Sequence, residues 1–265
     1  MSTLTCTLIQ SQLHWENKEA NLRMFTEKIN AIEGKTEVVF LPEMFTTGFS
    51  MKPEIFAETM SGESVQWMKE TSKKKNIILT GSLMIEENGK FYNRLVWMLP
   101  NGQQAHYDKR HLFAYAHEHE HYTPGKKRLI ASVKGWKINL NVCYDLRFPV
   151  WARQVQAEDA PGGEYDLLVY VANWPERRNL AWKTLLQARA IENQCFCIGL
   201  NRVGNDGNEI YHSGDSRVID PMGEVLYEKA HDEDVFTITL QKQQVEAVRE
   251  KLPFWKDADP FLILE

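Results

Sequence analysis

The chain has 265 residues, of which 43% are hydrophobic and 25% charged, a composition typical of globular proteins. Its net charge of -5 argues against a general nucleic-acid binder, which usually carries a basic excess. Residues 1–20 lack the basic segment and apolar run of a signal peptide, and no stretch approaches the ~20 apolar residues of a membrane helix. We therefore expect a cytoplasmic protein that binds neither nucleic acid nor membrane and whose four cysteines are free thiols.

Short apolar runs alternate with helical patterns along the chain. The first half predicts a strand at 3–10, a helix at 17–33, a strand at 38–44, a helix at 62–75, a strand at 76–83 and a hairpin at 91–109. The second half predicts a strand at 137–145, a short helix at 148–159, a strand at 166–174, a helix at 180–194 and strands at 195–204, 216–226 and 234–240. This order predicts one α/β domain with two sheets between helix layers. In helix 180–194 the expected apolar face carries Leu180, Leu185, Leu186 and Ile191.

Cys143 lies at the carboxyl end of the predicted strand 137–145, on the face that also carries Asn139 and Asn141. Ligands bind at this end of the strands in open α/β sheets, so the position suits a nucleophile. The alternative is a buried packing residue, which is the commoner role of a free cysteine when this segment is considered alone.

Two further ionisable residues follow predicted strands. Glu43 comes directly after an apolar run, where a partly desolvated carboxylate suits general acid–base chemistry, although a solvated or helix-capping acid is common there. Lys109 follows Tyr107 and precedes another apolar stretch, so its side chain is either solvated or held inward by its stem. Taken singly, each residue is more commonly structural than catalytic.

The three residues stand in the segments LPEMFTTGF, YDKRHLF and NVCYDLRFP. They are accompanied by YVANWP (170–175), QARAIENQCF (187–196), NRVGNDG (201–207), GDSRVIDPMGEVL (214–226) and LPFWKDADPF (252–261). In this order the segments resemble the nitrilase superfamily, whose triad is Glu-Lys-Cys. The resemblance spans nearly the whole chain and is strongest to the omega-amidase branch, in particular to its bacterial YafV-type members.

The resemblance implies a four-layer α-β-β-α sandwich that forms a single domain over residues 1–265. It also implies a homodimer, against whose partner the tail from about 245 to 265 packs, and it implies no cofactor. The implied activity is hydrolysis of the terminal amide of a small dicarboxylate monoamide, such as 2-oxoglutaramate, through a cysteine thioester.

The implied roles are Cys143 as nucleophile, Glu43 as proton acceptor and donor, and Lys109 as oxyanion ligand together with the backbone N–H of Tyr144. A second glutamate of the family, which orients the lysine, corresponds to Glu118, and Glu120 remains the alternative.

The residues expected to bind substrate are Tyr144, Arg147, Trp174 and Phe45. Arg147 suits a substrate carboxylate because a guanidinium pairs with it in a bidentate manner. Arg177, Arg178 and Arg202 lie near predicted strand ends that should rim the same pocket and are further candidates, although a surface or dimer-interface position is the commoner role for Arg177 and Arg178. Arg189 and Glu192 are three residues apart on a predicted helix and are expected to form a structural pair.

Three alternatives remain open. Nitrile and carbamoyl hydrolases of the superfamily use the same triad, so the triad does not choose among these substrates. A metal-dependent hydrolase could use His117, His119 and His121, which would share one face of a strand, but the sequence predicts no helix there that would carry a thermolysin-like HExxH motif, and no metal is expected. The third alternative is a binding protein that has the fold but does not catalyse a reaction. Cys6, Cys195 and Cys197 are expected in the core.

Overall fold

A computed structural model describes residues 2–154 and 163–263 of the chain. The strands are β1 (Thr3–Gln10), β2 (Val38–Phe40), β3 (Ile78–Glu87), β4 (Lys90–Met98), β5 (Gln104–Asp108), β6 (Leu129–Val133), β7 (Trp136–Val142), β8 (Leu167–Ala172), β9 (Phe196–Asn201), β10 (Val203–Asn205), β11 (Tyr211–Ile219), β12 (Val225–Ala230) and β13 (Asp234–Gln241). The helices are α1 (Lys18–Asn30), α2 (Pro53–Phe56), α3 (Glu63–Lys75), α4 (Glu118–His121), α5 (Pro149–Ala152), α6 (Asn179–Asn193) and α7 (Lys242–Lys251).

Within the described residues the strands form two mixed sheets. The first sheet has the order β13-β1-β2-β3-β4-β5, and the second has the order β10-β11-β9-β8-β7-β6, with β12 paired to β11. The neighbours β1, β2 and β3 are parallel, as are β7, β8 and β9, whereas the outer strands pair in antiparallel fashion. Each sheet therefore has a parallel centre whose carboxyl edge can present side chains to a site.

The sheets pack face to face, with helices on the outside. The core between them combines apolar side chains of both sheets, such as Leu8 and Phe40 from the first and Leu140 and Val169 from the second. Helices α1 and α3 bury their apolar faces against the outer face of the first sheet, and α6 covers the second. This is the predicted four-layer α-β-β-α arrangement, because each sheet buries one face against its partner and the other under helices.

Helix α6 differs from its prediction in the face that it buries. Leu180 and Ile191 are 77% and 50% exposed, while Trp182, Leu186 and Ala190 are buried. The buried stripe has ordinary helical spacing. It also includes Arg189. Of the four residues predicted for this face, Leu186 is buried and Leu185 packs against the core, so the prediction is wrong for Leu180 and Ile191 only. The indole N–H of Trp182 donates to the Asp215 carbonyl at 2.8 Å and fixes this rotation.

Two other predicted segments end early. The strand expected at 137–145 ends at Val142, and a 3₁₀ turn over Cys143–Arg147 follows it directly. Of the helix expected at 148–159, α5 accounts for Pro149–Ala152, and the segment 155–159 lies outside the described residues.

The beginning of the C-terminal segment packs on its own chain. The guanidinium of Arg249 on α7 donates to the carbonyls of Tyr165 and Gln194 at 2.7 and 2.9 Å. Residues 264 and 265 lie outside the described part, and contact between the tail and a partner subunit stays a prediction. Among the described residues, no helix is both long enough and apolar enough to span a membrane.

Candidate active site

The structure brings together four ionisable residues that the sequence singled out. Glu43 follows β2, Lys109 follows β5, Glu118 lies in α4, and Cys143 follows β7. Glu43 and Glu118 are completely buried, Lys109 is 1% exposed, and Cys143 is 8% exposed. Residues far apart in the chain thus converge at the edge where the two sheets end.

Lys109 lies between the two glutamates. Its Nζ donates to Glu43 Oε1 at 2.9 Å and to both carboxylate oxygens of Glu118, Oε1 at 3.0 Å and Oε2 at 2.9 Å. Buried charges remain charged only where partners replace their lost hydration, and here one ammonium serves two carboxylates. The second predicted acid is therefore Glu118 by position, since Glu120 is exposed and pairs with His117 at 2.9 Å.

Two asparagines complete the surroundings of the carboxylates. The side-chain amide of Asn93 donates to Glu43 Oε1 at 2.8 Å and to Glu118 Oε1 at 3.2 Å. The backbone N–H of Asn173 donates to Glu43 Oε2 at 2.8 Å, and its side chain donates to the Glu43 carbonyl at 2.6 Å. The Cys143 Sγ lies 3.9 Å from the Asn173 carbonyl oxygen, so Asn173 links the acid to the thiol.

Cys143 occupies a sharp strand-to-turn junction. Its φ of +46° lies in the left-handed region, which is uncommon for a residue other than glycine. Such strained conformations persist only where the surrounding structure enforces them, and they concentrate at functional sites. The change of direction lifts the thiol off the strand.

Asp145 enforces this junction. It is completely buried, and its carboxylate accepts from the backbone N–H of Val142 at 3.0 Å and from the Tyr107 hydroxyl at 2.8 Å. It also accepts from the backbone N–H of His111 at 2.9 Å and contacts His111 Nδ1 at 2.8 Å. Asp145 therefore joins the turn that carries Cys143 to the segments on either side of Lys109.

The charges in this site perturb one another. Burial raises the pKa of the Cys143 thiol well above its ordinary value, and the charge of Glu43 raises it further, against the effect of Lys109. Burial alone lowers the pKa of Lys109, but the carboxylates of Glu118 and Glu43 outweigh burial and raise it. Burial raises the pKa of Glu118, because a single ammonium shared with Glu43 does not fully offset desolvation. Cys143 is consequently a thiol at rest, and a base is needed to form its thiolate.

A cavity of about 220 Å³ opens onto this site. Its lining includes Lys109, Phe113, Cys143, Tyr144, Asn173 and Trp174 together with Arg147, Arg177 and Arg178. The Arg147 guanidinium lies 4.9 Å from the centre of the Trp174 ring, and the Arg178 guanidinium lies 5.1 Å from that of Phe113. Within residues 2–154 and 163–263, no carboxylate forms an ion pair with any of these three arginines.

Three of the four residues expected to bind substrate line the cavity, and one does not. Tyr144, Arg147 and Trp174 line the cavity as expected. Phe45 does not, because its ring packs in the core 5.6 Å from Phe25 and 5.8 Å from Trp67, measured between ring centroids.

The remaining arginines also differ from expectation. Arg202 is completely buried and donates to the carbonyls of Val203 and Asn205, away from the cavity. Arg177 and Arg178, for which a surface or interface position was the favoured of two expectations, line the cavity. Arg189 and Glu192 form the expected pair at 3.0 Å.

The histidine cluster does not form the strand that a metal site on one face would need. His117 adopts a left-handed conformation before α4, which carries His119 and His121, so the three side chains do not alternate on one face. The side chains of His117 and His119 are 69% and 52% exposed. In the part of the chain that the structure describes, no group of three or more His, Cys, Asp or Glu residues is placed to hold a metal ion.

Sequence reasoning missed Asn93 and Asn173 and gave no role to Asp145. Asn173 follows β8, the parallel neighbour of β7, so the strand-end argument applied to Cys143 would also have found it. Asn93 lies inside β4, where only its polarity within an apolar run is a signal. Asp145 was visible next to the nucleophile, but its partners Tyr107 and His111 are distant in the sequence.

Comparisons with known proteins agree with this geometry. Residues 5–250 match the carbon-nitrogen hydrolase family. The omega-amidase YafV of Escherichia coli strain K12 is 44% identical over 263 residues, which cover 98% of this chain and 99% of that protein. The 2-oxoglutaramate amidase of Bacillus subtilis strain 168 is 33% identical over 259 residues, 96% of each chain.

A solved structure extends the agreement to the fold. XC1258 of Xanthomonas campestris, a CN-hydrolase superfamily protein with an arsenic adduct in its active site, is 40% identical, covers 100% of both chains and superimposes with a TM-score of 0.97. These similarities confirm the predicted membership of the nitrilase superfamily. The family match spans most of the chain and the relatives align along nearly their whole lengths, so this protein belongs to the carbon-nitrogen hydrolase family.

Proposed function

We propose that this enzyme is an omega-amidase, which hydrolyses the terminal amide of a small dicarboxylate monoamide such as 2-oxoglutaramate to the acid and ammonia. The observation that carries the proposal is the shared cavity, where Cys143 and Lys109 lie beside arginines that have no carboxylate partner among the described residues. Relatives named above include an omega-amidase and a 2-oxoglutaramate amidase.

The first half-reaction forms a thioester. Glu43 takes the proton of the Cys143 thiol as sulfur attacks the amide carbon, because the raised pKa of the thiol leaves little thiolate at rest. The three N–H donors of the Lys109 ammonium face Glu43 Oε1 and both carboxylate oxygens of Glu118 at rest, and one of the two that face Glu118 turns to the developing oxyanion. The backbone N–H of Tyr144 is the second proposed oxyanion donor. Glu43 then returns its proton to the leaving nitrogen, and ammonia departs.

The second half-reaction hydrolyses the thioester. Glu43 accepts a proton from water as the oxygen attacks the acyl carbon, and the same donors hold the oxyanion. Collapse of this intermediate expels the sulfur, which recovers the proton from Glu43, and the carboxylic acid product leaves. Every step uses groups of this chain and water.

The far end of the substrate is proposed to meet the arginines. A guanidinium matches a carboxylate in a bidentate manner, and Arg147 and Arg178 are each backed by an aromatic ring. Nitriles and carbamoyl compounds could use the same nucleophile. A neutral nitrile would leave these cations unpaired, whereas an N-carbamoyl amino acid carries a carboxylate as the monoamides do. The arginines therefore favour a substrate with a carboxylate, and the relatives favour an amide among such substrates.

We further propose a cytoplasmic homodimer. The outer face of α6 exposes Leu180 and Ile191, and an exposed apolar face of this kind is typical of an interface. The four cysteines are free, and a reducing compartment would keep them as thiols.

The test is a panel of substrates followed by ammonia release. We expect turnover of 2-oxoglutaramate and glutaramate to exceed that of a simple nitrile and of an N-carbamoyl amino acid. A preference for the nitrile or the carbamoyl compound would refute the assignment to amides. Treatment with EDTA should leave the rate unchanged, and loss of activity that zinc restores would favour a metal-dependent hydrolase instead.

A further inference from the structure

Asn93 makes contacts that the proposed mechanism does not yet use. It lies in the interior of β4, and its side chain is completely buried. Its Nδ2 donates to Oε1 of Glu43 and Oε1 of Glu118, and both of these oxygens also accept from Lys109 Nζ. The four groups therefore form a closed ring in which two donors alternate with two acceptors.

We propose that Asn93 is a positioning residue, which holds the carboxylates of Glu43 and Glu118 on either side of Lys109 in the geometry that catalysis needs. The inference rests on the proposed function of these three residues. It adds a neutral group that acts through all of them and does not line the cavity.

The charges explain why an amide suits this position. The ring contains two carboxylates and one ammonium in a site from which water is excluded, so like-charge repulsion between the acids is weakly screened. An apolar residue at position 93 would leave that repulsion to Lys109 alone, and an acid would add to it. An amide supplies two N–H donors without a charge, one for each carboxylate.

Asn93 also fixes Lys109 through the backbone. The N–H of Lys109 donates to the Asn93 carbonyl at 3.0 Å, so one residue sets both the start of the lysine side chain and the acceptors at its end. The ammonium hydrogens face the glutamates at rest, and the fixed position of Nζ at the cavity wall allows one of them to turn from Glu118 to an oxyanion. Without the side chain of Asn93, the carboxylates can rotate and draw the ammonium away from the oxyanion.

The amide has a second, electrostatic consequence. A hydrogen bond donated to an ionised carboxylate favours the ionised form. Burial already raises the pKa of Glu118, and removing the amide raises the affinity of the paired carboxylates for a proton further, whereas the pair must be ionised to accept the thiol proton. The acid limb of the pH profile of kcat/KM should therefore move to higher pH when the Asn93 amide is lost. A residue that only supports the fold would not move that limb.

The experiment compares Asn93→Leu with Asn139→Leu in the full-length enzyme. Asn139 is a matched control, because it is also a completely buried asparagine on a strand and its side-chain contact is with Asn141. We expect Asn93→Leu to lower kcat about 10- to 100-fold with little change in KM, the typical loss for a hydrogen bond to a charged group, and to move the acid limb upward. Asn139→Leu should leave the limb in place.

A second measurement does not need a substrate. The rate at which iodoacetamide alkylates Cys143 should follow the ionisation of the paired carboxylates, so the acid limb of this rate should also move to higher pH in Asn93→Leu. If either protein variant fails to fold, Asn93→Ser provides the same test with a side chain too short to reach both carboxylates, and the same shift is expected.

Two results separate this proposal from the proposed function. If the wild type releases ammonia through Cys143 while both pH profiles are unchanged in the Asn93 variants, the role of Asn93 is refuted and the function stands. If the wild type hydrolyses none of the amides but the alkylation limb shifts as expected, the positioning role is supported and the proposed substrate class is wrong.

Discussion

In the described part of the chain, charged side chains are paired and buried at the inner end of the cavity, whereas at its mouth they are unpaired and partly or fully exposed. At the inner end Glu43, Lys109 and Glu118 are at most 1% exposed, and each charge meets an opposite charge within 3.0 Å. At the mouth Arg147 and Arg178 are partly exposed and Arg177 is exposed, with no ion pair to another described residue. The fold therefore completes the first set of charges, and leaves the second set to water or substrate.

This difference predicts how each end responds to mutation. A buried ion network is sensitive to the loss of any member, because the remaining charges have neither partner nor water. An exposed arginine is hydrated when the cavity is empty, so its loss costs binding but little stability. Chemistry and folding are coupled at the inner end, and recognition is nearly independent of folding at the mouth.

The largest expected effect is that of Lys109→Met. Two buried carboxylates would lose their shared cation, and removal of one partner from such a pair typically costs about 3–5 kcal/mol. We expect ammonia release to fall at least about 10³-fold and the free energy of unfolding in urea to fall by this amount. The control is Lys134→Met, since Lys134 pairs with Glu37 at 3.0 Å but its side chain is 47% exposed, and a change within about 1 kcal/mol is expected. Equal destabilisation by the two substitutions would contradict the expectation that the buried ion network contributes more to stability than an exposed ion pair.

A smaller effect is expected for Glu118→Gln, compared with Glu120→Gln two residues away in α4. Glutamine keeps the shape of Glu118 but removes the charge that orients the ammonium at 2.9 Å, so kcat should fall about 10- to 100-fold. Glu120 is solvated and should leave both kcat and KM unchanged. Steady-state kinetics of the pair distinguishes these positions, and a larger effect at Glu120 would reverse their roles.

The smallest effect is expected at the mouth, for Arg147→Met and Arg178→Met. Each should raise KM for glutaramate about tenfold or more, the equivalent of about 1.4 kcal/mol, with kcat and melting temperature nearly unchanged. A short neutral amide without a carboxylate is the matched control, and its kcat/KM should be insensitive to both substitutions. An equal fall in kcat/KM for both substrates would show that the arginines do not bind the substrate carboxylate.

The same division separates what the sequence predicts well from what it does not. Alternating and helical patterns located the central strands and the helices α1, α3 and α6 because burial imposes those periods. Glu43, Lys109 and Cys143 were recognised together through the local segments that surround them. The residues that complete the ring and the turn, Asn93 and Asp145, hold partners from other elements, and only the folded chain shows those contacts.

The errors have physical causes as well. Phe45 follows Glu43 by two residues, but the turn after β2 directs its ring into the core beneath α1 and α3. Arg177 and Arg178 were assigned to the surface because arginines usually lie there, whereas the short 3₁₀ turn Glu176–Arg178 brings them to the cavity rim. The buried face of α6 includes Trp182 and Arg189, and each of these side chains donates a hydrogen bond to a backbone carbonyl that a count of aliphatic residues does not consider.

The central claim is that buried acids and an ammonium activate Cys143 to form a thioester. Its most direct test measures ammonia release from glutaramate by the variant Cys143→Ala. The quenched wild-type reaction is analysed alongside it by peptide mass mapping. The control variant is Cys6→Ala, because Cys6 is also buried but lies in the core between the sheets. We predict no turnover by Cys143→Ala, near wild-type turnover by Cys6→Ala, and any trapped acyl group on the peptide that contains Cys143. Turnover of folded Cys143→Ala at the wild-type rate would contradict the account.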